Sequence, residues 1–530
     1  MSRREHSESP AFRTKARRYI NRHFHIVFQR MVYVLLFATI QIAVLIWLFV
    51  RMNALIPYFV VFCTLISLLA AVHVINKNSN PAIKIAWLIP LFTLPIFGGL
   101  LYLMFGTRRV NRRLTAVTEV IRDAYRMEGG TVPTCEETVS ALAPRDAALQ
   151  SHYISHASGC LPFGHTATQY YPTGEAFFPA LCEALRAAKR YIFLEYFIIE
   201  EGEFWDTVLD ILTERAAAGV EVRVIYDDFG SMLTLPITYE RTLRERGIRA
   251  HVFNPFNTVL SPRPNNRDHR KIAVIDGTTA FVGGINLADE YINVREKHGH
   301  WKDSALRLTG DAAWGAAIQF LAVWDADMRT GTDYSLYLPE RTEAPAVENG
   351  IVQPYTDIPM DSEQVGETVY FQMITRAEKY IYITTPYLII DHELLVALQT
   401  AAKSGVDVRI ITPHIPDKKT VFFLTRSYYR PLLDAGVKIY EYSPGFIHAK
   451  SMVTDDRFAV VGSINFDYRS LYLHLENAVW MYNTTAVGEL RDDIHKTLDA
   501  SEEIRQDVLG KMTFGRRLWL SILRTFSPLM

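Results

Sequence analysis

His269-Arg-Lys271-Ile-Ala-Val-Ile-Asp276 and His448-Ala-Lys450-Ser-Met-Val-Thr-Asp455 are two copies of one pattern. Measured from each His, the Lys, Asp, first Gly and Asn fall at +2, +7, +14 and +17, which adds Gly283 and Asn286 to the first copy and Gly462 and Asn465 to the second. At about one chance in twenty per position, an accidental second copy has a probability on the order of 10⁻⁴ along such a chain. The pattern also has local physical sense. His and Lys two apart on a strand face the same side, and the apolar run that follows carries the strand into a core. Asp276-Gly277 and Asp455-Asp456 read as hairpin turns, with Gly283 and Gly462 on the return strands. Those glycines permit close backbone approach, and Asn286 and Asn465 supply amide donors.

The flanks are duplicated as well. Ala187-Ala-Lys-Arg-Tyr-Ile-Phe-Leu-Glu-Tyr196 is echoed by Ala377-Glu-Lys-Tyr-Ile-Tyr-Ile-Thr-Thr-Pro386. Ala218-Gly-Val-Glu-Val-Arg-Val-Ile225 is echoed by Ser404-Gly-Val-Asp-Val-Arg-Ile-Ile411, and Arg244-Glu-Arg-Gly-Ile-Arg249 by Leu433-Asp-Ala-Gly-Val-Lys438. Short apolar strands alternate with amphipathic helices, and Gly219 suits a helix C-cap. The order predicts an α/β fold of two duplicated lobes, each a β-sheet flanked by helices, related by a pseudo-twofold. Two copies of this length make two lobes, not a solenoid. The expected division is 165–335 and 336–530, with the joint inside 330–350, where Pro, Glu and Gly accumulate. Residues 111–164 are expected to be a linker.

Residues 1–110 read as a basic segment followed by a membrane region. Apolar runs cover about 31–50, 54–75 and 85–105, and the third contains Pro90, Pro95 and Gly98-Gly99. Twenty helical residues rise about 30 Å, the thickness of a bilayer's hydrocarbon core. Eight Lys and Arg lie between Arg3 and Arg30, and Arg108, Arg109, Arg112 and Arg113 follow the third run. Both flanks therefore belong in the cytoplasm, which demands an even number of spans. Two true spans are expected. The third run is then re-entrant or interfacial, unless one flank breaks the charge rule. The tail Arg516-Arg-Leu-Trp-Leu-Ser-Ile-Leu-Arg-Thr-Phe526 mixes cationic and large apolar residues, and fits either a membrane interface or a closing helix on the second lobe.

The 530 residues exceed one ordinary domain, and a net charge of −1 gives no field to recruit nucleic acid. The four cysteines form no C-x-x-C pair and read as free thiols in a reducing compartment. His298-Gly-His300 lacks further ligands in sequence and reads as a loop, and Asp227-Asp228 as a solvated or hydrogen-bonded strand end.

The duplicated constellation resembles the phospholipase D superfamily, whose signature is H-x-K-x4-D followed by G-x-x-N. With the apolar N-terminus, Asn266-Arg-Asp-His-Arg-Lys-Ile and Gly445-Phe-Ile-His-Ala-Lys look like the two active-site strands of bacterial cardiolipin synthases. The resemblance implies a membrane enzyme, multi-pass in the cell membrane with cytoplasmic lobes. Its substrate would be phosphatidylglycerol, two molecules of which give cardiolipin and glycerol through a phosphohistidine. Catalysis falls to His269, Lys271, Asp276, His448, Lys450 and Asp455. Asp276 and Asp455 are equally well read as turn residues that never touch substrate.

Two facing imidazoles suit a phosphodiester, one attacking phosphorus while the other protonates the departing alcohol. Lys271, Lys450, Asn286 and Asn465 would bind the non-bridging oxygens. With two ammonium groups present, no metal or other cofactor is expected. The resemblance places orienting acids at Asp303 and Glu476, and makes His269 the nucleophile and His448 the acid/base, a choice the residues alone leave open. One departure is visible. Gly284 stands where the second copy has Ser463, a hydroxyl that could donate to phosphate. Competing readings are a membrane phospholipase D releasing phosphatidic acid, a tethered nuclease, and a non-catalytic lipid-binding scaffold. Intact His, Lys and Asn sets in both copies weigh against the scaffold.

Overall fold

A computed structural model describes residues 39–47, 56–94, 98–99, 114–128, 144–255, 266–340, 350–359, 363–506 and 513–529, with a few single positions between them. The chain divides into two units, 1–109 with 256–264, and 110–255 with 265–530.

In the smaller unit, helix Ile56–Asn76 carries no charged residue and spans about 32 Å at 1.5 Å per residue. It is the one described helix long and apolar enough to cross a membrane. Val60, Val61, Phe62, Leu65, Leu69 and Val72 are all exposed along it. A second helix, Pro81–Thr93, starts at Asn80, whose side chain accepts from the Ala82 N–H at 2.9 Å. At 13 residues it is too short to span, and it ends well before residue 105. Of the first apolar run, residues 39–47 are helical and the rest lies outside the described residues.

In the larger unit, the first half forms β1 (Thr166–Tyr171), β2 (Tyr191–Tyr196), β3 (Glu221–Asp227), β4 (Arg249–Phe253), β5 (Lys271–Ile275), β6 (Thr279–Gly283), β7 (His300–Lys302) and β8 (Ala305–Gly310). The second half forms β9 (Ile351–Asp357), β10 (Tyr380–Thr384), β11 (Leu388–Ile389), β12 (Asp407–Pro413), β13 (Lys438–Tyr442), β14 (Gly445–Ile447), β15 (Ser451–Thr454), β16 (Phe458–Gly462), β17 (Phe466–Asp467), β18 (Glu476–Tyr482) and β19 (Ser501–Ile504). The first sheet has the order β1-β8-β6-β5-β2-β3-β4. The second has β9-β18-β16-β15-β10-β12-β13 and adds β19 at its edge. Parallel and antiparallel pairings match position by position. The duplication read from sequence is thus a duplication of topology.

Helix Ala312–Met328 is buried continuously from Ala312 to Asp325. Its Ala-Ala-Trp-Gly-Ala-Ala-Ile-Gln-Phe-Leu-Ala-Val-Trp run is apolar on every face, as a helix enclosed on all sides must be. It packs on β5, β6 and β8 of its own sheet and on β9 of the other.

Two boundary expectations need correction. Residues 111–164 are no simple linker, since they hold helices Val117–Glu128 and Arg145–Ser158. The second of these is bound to the second sheet by Ser151 Oγ to Gln353 Oε1 (2.8 Å) and Trp480 Nε1 to Gln150 Oε1 (3.2 Å). The 335/336 division cuts too early, because the Tyr191 hydroxyl donates to the Tyr337 carbonyl (2.6 Å) and Arg190 to that of Leu338 (2.7 Å), tying this stretch to the first lobe.

Candidate active site

Each motif histidine sits at a bend where the chain passes from one lobe to the other. In the second copy, β14 pairs in parallel with β7 of the first lobe, and the His448 N–H donates to the Lys302 carbonyl at 2.6 Å. Beyond the bend, β15 joins its own sheet. In the first copy, Asp268 bridges in parallel to Leu475, the His269 N–H donates to the Leu475 carbonyl (2.9 Å), and β5 then enters the first sheet. Backbone pairing on both sides of the bend fixes both rings, and it places each beside a carboxylate from the opposite half.

The carboxylates are crossed. His269 Nδ1 lies 3.0 Å from both Oε1 and Oε2 of Glu476, and His448 Nδ1 lies 2.6 Å from Asp303 Oδ2. All four residues are buried. A carboxylate only accepts, so each Nδ1 donates and each Nε2 keeps its lone pair. Lys450 Nζ also comes within 2.7 Å of His448 Nδ1, but that nitrogen's hydrogen is committed to Asp303, and the ammonium is held by the His448 carbonyl. Lys271 donates in the same way to the His269 carbonyl.

Burial dominates the electrostatics. It pushes both imidazoles well below their ordinary range, with help from the positive charges of Lys271 and Lys450, each of which acts on both rings. It pushes Lys271 down to about 7 and Lys450 to about 8, and Asp303 up to about 6 against the pull of Lys450. The two half-sites therefore share one field. A negatively charged ligand entering between these groups would restore their cationic forms.

Several sequence expectations meet different fates. Asn286 and Asn465 are buried near their histidines' strands. The first accepts from the Ile198 N–H (3.1 Å) and donates to the Tyr291 hydroxyl (2.7 Å). The second donates to Ser470 Oγ (3.0 Å), and its Oδ1 has no partner. Asp276 and Asp455 are not brought to the histidines. They lie at the far ends of β5 and β15, with φ of 54° and 56°. Asp276 accepts the N–H groups of Lys189, Arg190 and Tyr191 (2.8, 2.8 and 2.9 Å) and Asp455 those of Glu378, Lys379 and Tyr380 (2.7, 2.8 and 2.9 Å), clamping the starts of β2 and β10. Ser463 is likewise no phosphate donor, since its hydroxyl is spent on Glu476. Its counterpart Gly284 leaves room that Asp303 fills, and a Cβ there would overlap the Asp303 carboxylate.

Residues not singled out from sequence pack against the two imidazoles. Trp301 packs on His448 with ring centroids 5.3 Å apart, and His474 on His269 at 5.5 Å. Each precedes its lobe's orienting acid by two residues, so strand alternation was the available signal. Tyr291 stands 5.5 Å from His448, and Phe197 5.0 Å from His269. Burial pushes His474 down to about 4, and neither of its nitrogens has a hydrogen-bond partner. His269, His474 and Glu476 bring potential metal-ligand atoms within 4.8 Å of one another, but His269 and Glu476 are already engaged with each other. Asp227 is a hydrogen-bonded strand end, accepting from the Phe229, Gly230 and Asp268 N–H groups (2.9, 3.0 and 3.1 Å).

The family model described as cardiolipin synthase, PLD-like domain, matches twice, at 181–299 and 370–498, and a phospholipase D-nuclease N-terminal model matches 65–106. A protein named cardiolipin synthase 2 from Bacillus cereus is 35% identical over 459 residues, 86% of this chain and 88% of its own. The chain belongs to the phospholipase D-type cardiolipin synthase family. An uncharacterised member from Streptococcus mutans is 40% identical over 467 residues, covering 87% of this chain and 99% of that protein. The fold is shared with phosphatidylserine synthase of Haemophilus influenzae, at 15% identity and a TM-score of 0.52, over 68% of this chain and 95% of that one. Within the cardiolipin synthase domain matches lie both histidines, both lysines, both asparagines and Glu476, while Asp303 falls just outside the first.

Proposed function

We propose that this protein is a cardiolipin synthase that joins two phosphatidylglycerol molecules, releasing glycerol. His269 Nε2 attacks the lipid phosphorus and forms a P–N bond. The P–O bond to glycerol breaks as the His448 imidazolium gives its proton to the departing oxygen. A second phosphatidylglycerol then enters, and His448 takes the proton of its terminal hydroxyl. That oxygen attacks phosphorus, the P–N bond breaks, and His269 is freed. Lys271, Lys450 and the second amide hydrogens of Asn286 and Asn465 hold the non-bridging oxygens. The crossed carboxylates each engage an Nδ1 and so leave each Nε2 for the substrate, and this crossing is the observation that supports the reading.

We further propose two membrane spans with the lobes in the cytoplasm. The Arg-rich segments on both sides of the apolar region support this topology, and anchoring keeps the site at the headgroups.

Purified full-length enzyme in phosphatidylglycerol vesicles should form cardiolipin and glycerol in equal amounts without ATP or a nucleotide-activated lipid. His269→Ala and His448→Ala should each lower this by at least about 10⁴-fold. Phosphatidic acid as the sole product would replace the synthase reading by a hydrolase.

A further inference from the structure

The product carries two phosphates separated by one glycerol. Both phosphatidylglycerol molecules pass through the pocket, but only one phosphorus is bonded to His269. When the second lipid's hydroxyl attacks, its own phosphate must rest one glycerol beyond the reacting centre, on the side of the acid/base histidine. The motif lysines and asparagines are occupied with the first phosphate, so a cation outside the motifs is required.

The loop following β12 supplies one. The Ile415 N–H donates to the Gly445 carbonyl (3.3 Å), tying this loop to the strand that delivers His448. Asp417 Oδ2 accepts from the Tyr387 hydroxyl (2.6 Å), the Tyr387 ring packs on Phe446 (6.4 Å), and Phe446 packs on His448 (5.8 Å). Lys418 follows directly and is exposed. It forms no ion pair among the described residues, and its charge is among those that act on His448. Lys419 opens the helix Lys419–Leu433, whose first turn has no acidic residue. The equivalent stretch after β3, residues 228–238, carries no Lys or Arg, so the feature has no twin beside His269.

We propose that Lys418 is the core of a second phosphodiester subsite, which holds the phosphate of the acceptor lipid during the second transfer. This inference rests on the synthase reading with His448 as acid/base. It predicts that the subsite serves an acceptor that bears a phosphate and is idle when the acceptor is neutral. Free glycerol is such an acceptor. It can take the phosphatidyl group from His269 by the same steps, giving its proton to His448 as the P–N bond breaks, and regenerates phosphatidylglycerol.

The test measures two activities of the full-length enzyme in phosphatidylglycerol vesicles, namely cardiolipin formation and exchange of radiolabelled glycerol into phosphatidylglycerol. Lys418→Glu should lower the ratio of cardiolipin formation to glycerol exchange on the order of tenfold, the effect of one charge-assisted contact. Lys418→Arg should keep the ratio, and added salt should lower the wild-type ratio. An unchanged ratio in Lys418→Glu, whether both activities fall together or neither does, overturns the subsite. A wild-type enzyme that performs neither reaction overturns the synthase reading itself, and the subsite with it.

Discussion

The two half-sites stand on equivalent strands and yet present their histidines to different surroundings. His448 meets Asp303 at 2.6 Å, across the space left by Gly284, with Trp301 against the ring. His269 meets Glu476 at 3.0 Å, and that carboxylate also accepts the Ser463 hydroxyl, with His474 beside it, 3.7 Å from Oε1. Asp303 also accepts the Ser304 N–H, but on Oδ1 (2.8 Å), which leaves Oδ2 to His448, whereas Oε2 of Glu476 serves both His269 and Ser463. An oxygen that shares its lone pairs with a second donor stabilises an imidazolium less. The Asp303 side is therefore the better place to hold a proton, and the Glu476 side the better place to keep a neutral nucleophile. Duplication supplied a symmetric scaffold, and a few side chains give its halves different chemical tasks. This supports the proposed assignment of His269 as nucleophile and His448 as acid/base.

The largest effects are expected at the two carboxylates. Asp303→Asn and Glu476→Gln should each lower kcat on the order of 10²- to 10³-fold, because an amide can stabilise the wrong tautomer and cannot balance the imidazolium. They should differ in rescue. A phosphatidyl ester of p-nitrophenol needs no protonated leaving group, so it should restore glycerol-independent release in Asp303→Asn but not in Glu476→Gln. Equal rescue of both would dissolve the distinction between the halves.

A smaller effect is expected from exchanging the residues behind those carboxylates. Gly284→Ser should cost on the order of 10²-fold in kcat, since its Cβ displaces Asp303. Ser463→Gly should cost about tenfold, since Glu476 keeps His269 and loses only one donor. Gly284→Ser as the milder change would contradict the packing described.

The lysines set a pH limit. A lysine is cationic below its pKa, so with Lys271 near 7 and Lys450 near 8 in the free enzyme, kcat/KM should fall several-fold as pH rises through 7 to 8. A profile flat to pH 9 would show that the site does not depend on those charges. The mildest catalytic effect belongs to the Asp clamps. Asp455→Asn should lower the unfolding free energy by about 1–3 kcal/mol through weakened bonds to three backbone N–H groups. The activity per folded molecule should not change, and thermal unfolding with parallel assays would check both.

Much of this was legible in the sequence, for reasons that also mark where legibility ended. The duplication is written in local patterns, and Gly219/Gly405 and His269/His448 stand just before equivalent strands of two sheets of the same order. Asp303 and Glu476 could be named as orienting acids, but their crossing could not, because it depends on β14 pairing with β7 and Asp268 with Leu475, contacts between residues far apart in the chain. Asp276 and Asp455 share the motif with the histidines and so invited a shared role. Strand geometry decides otherwise, since five residues of β5 carry Asp276 to the opposite end of the strand. Ser463 misled because a hydroxyl in a phosphate site reads as a ligand, whereas Glu476 is the acceptor it meets. The helices inside 111–164 were missed because their partners lie far along the chain, Trp314 for Val117–Glu128 and Gln353 and Trp480 for Arg145–Ser158.

The convergence of two imidazoles on one phosphorus, with His269 as its covalent carrier, can be tested by trapping the intermediate. Full-length enzyme would be mixed with phosphatidylglycerol labelled with radioactive phosphorus, quenched within the first turnover under mild alkali, and mapped by peptide sequencing. Label is expected on His269 alone, increased in Asp303→Asn with the p-nitrophenyl donor and absent in His269→Ala. Label on His448, or turnover without any labelled histidine, would contradict that expectation.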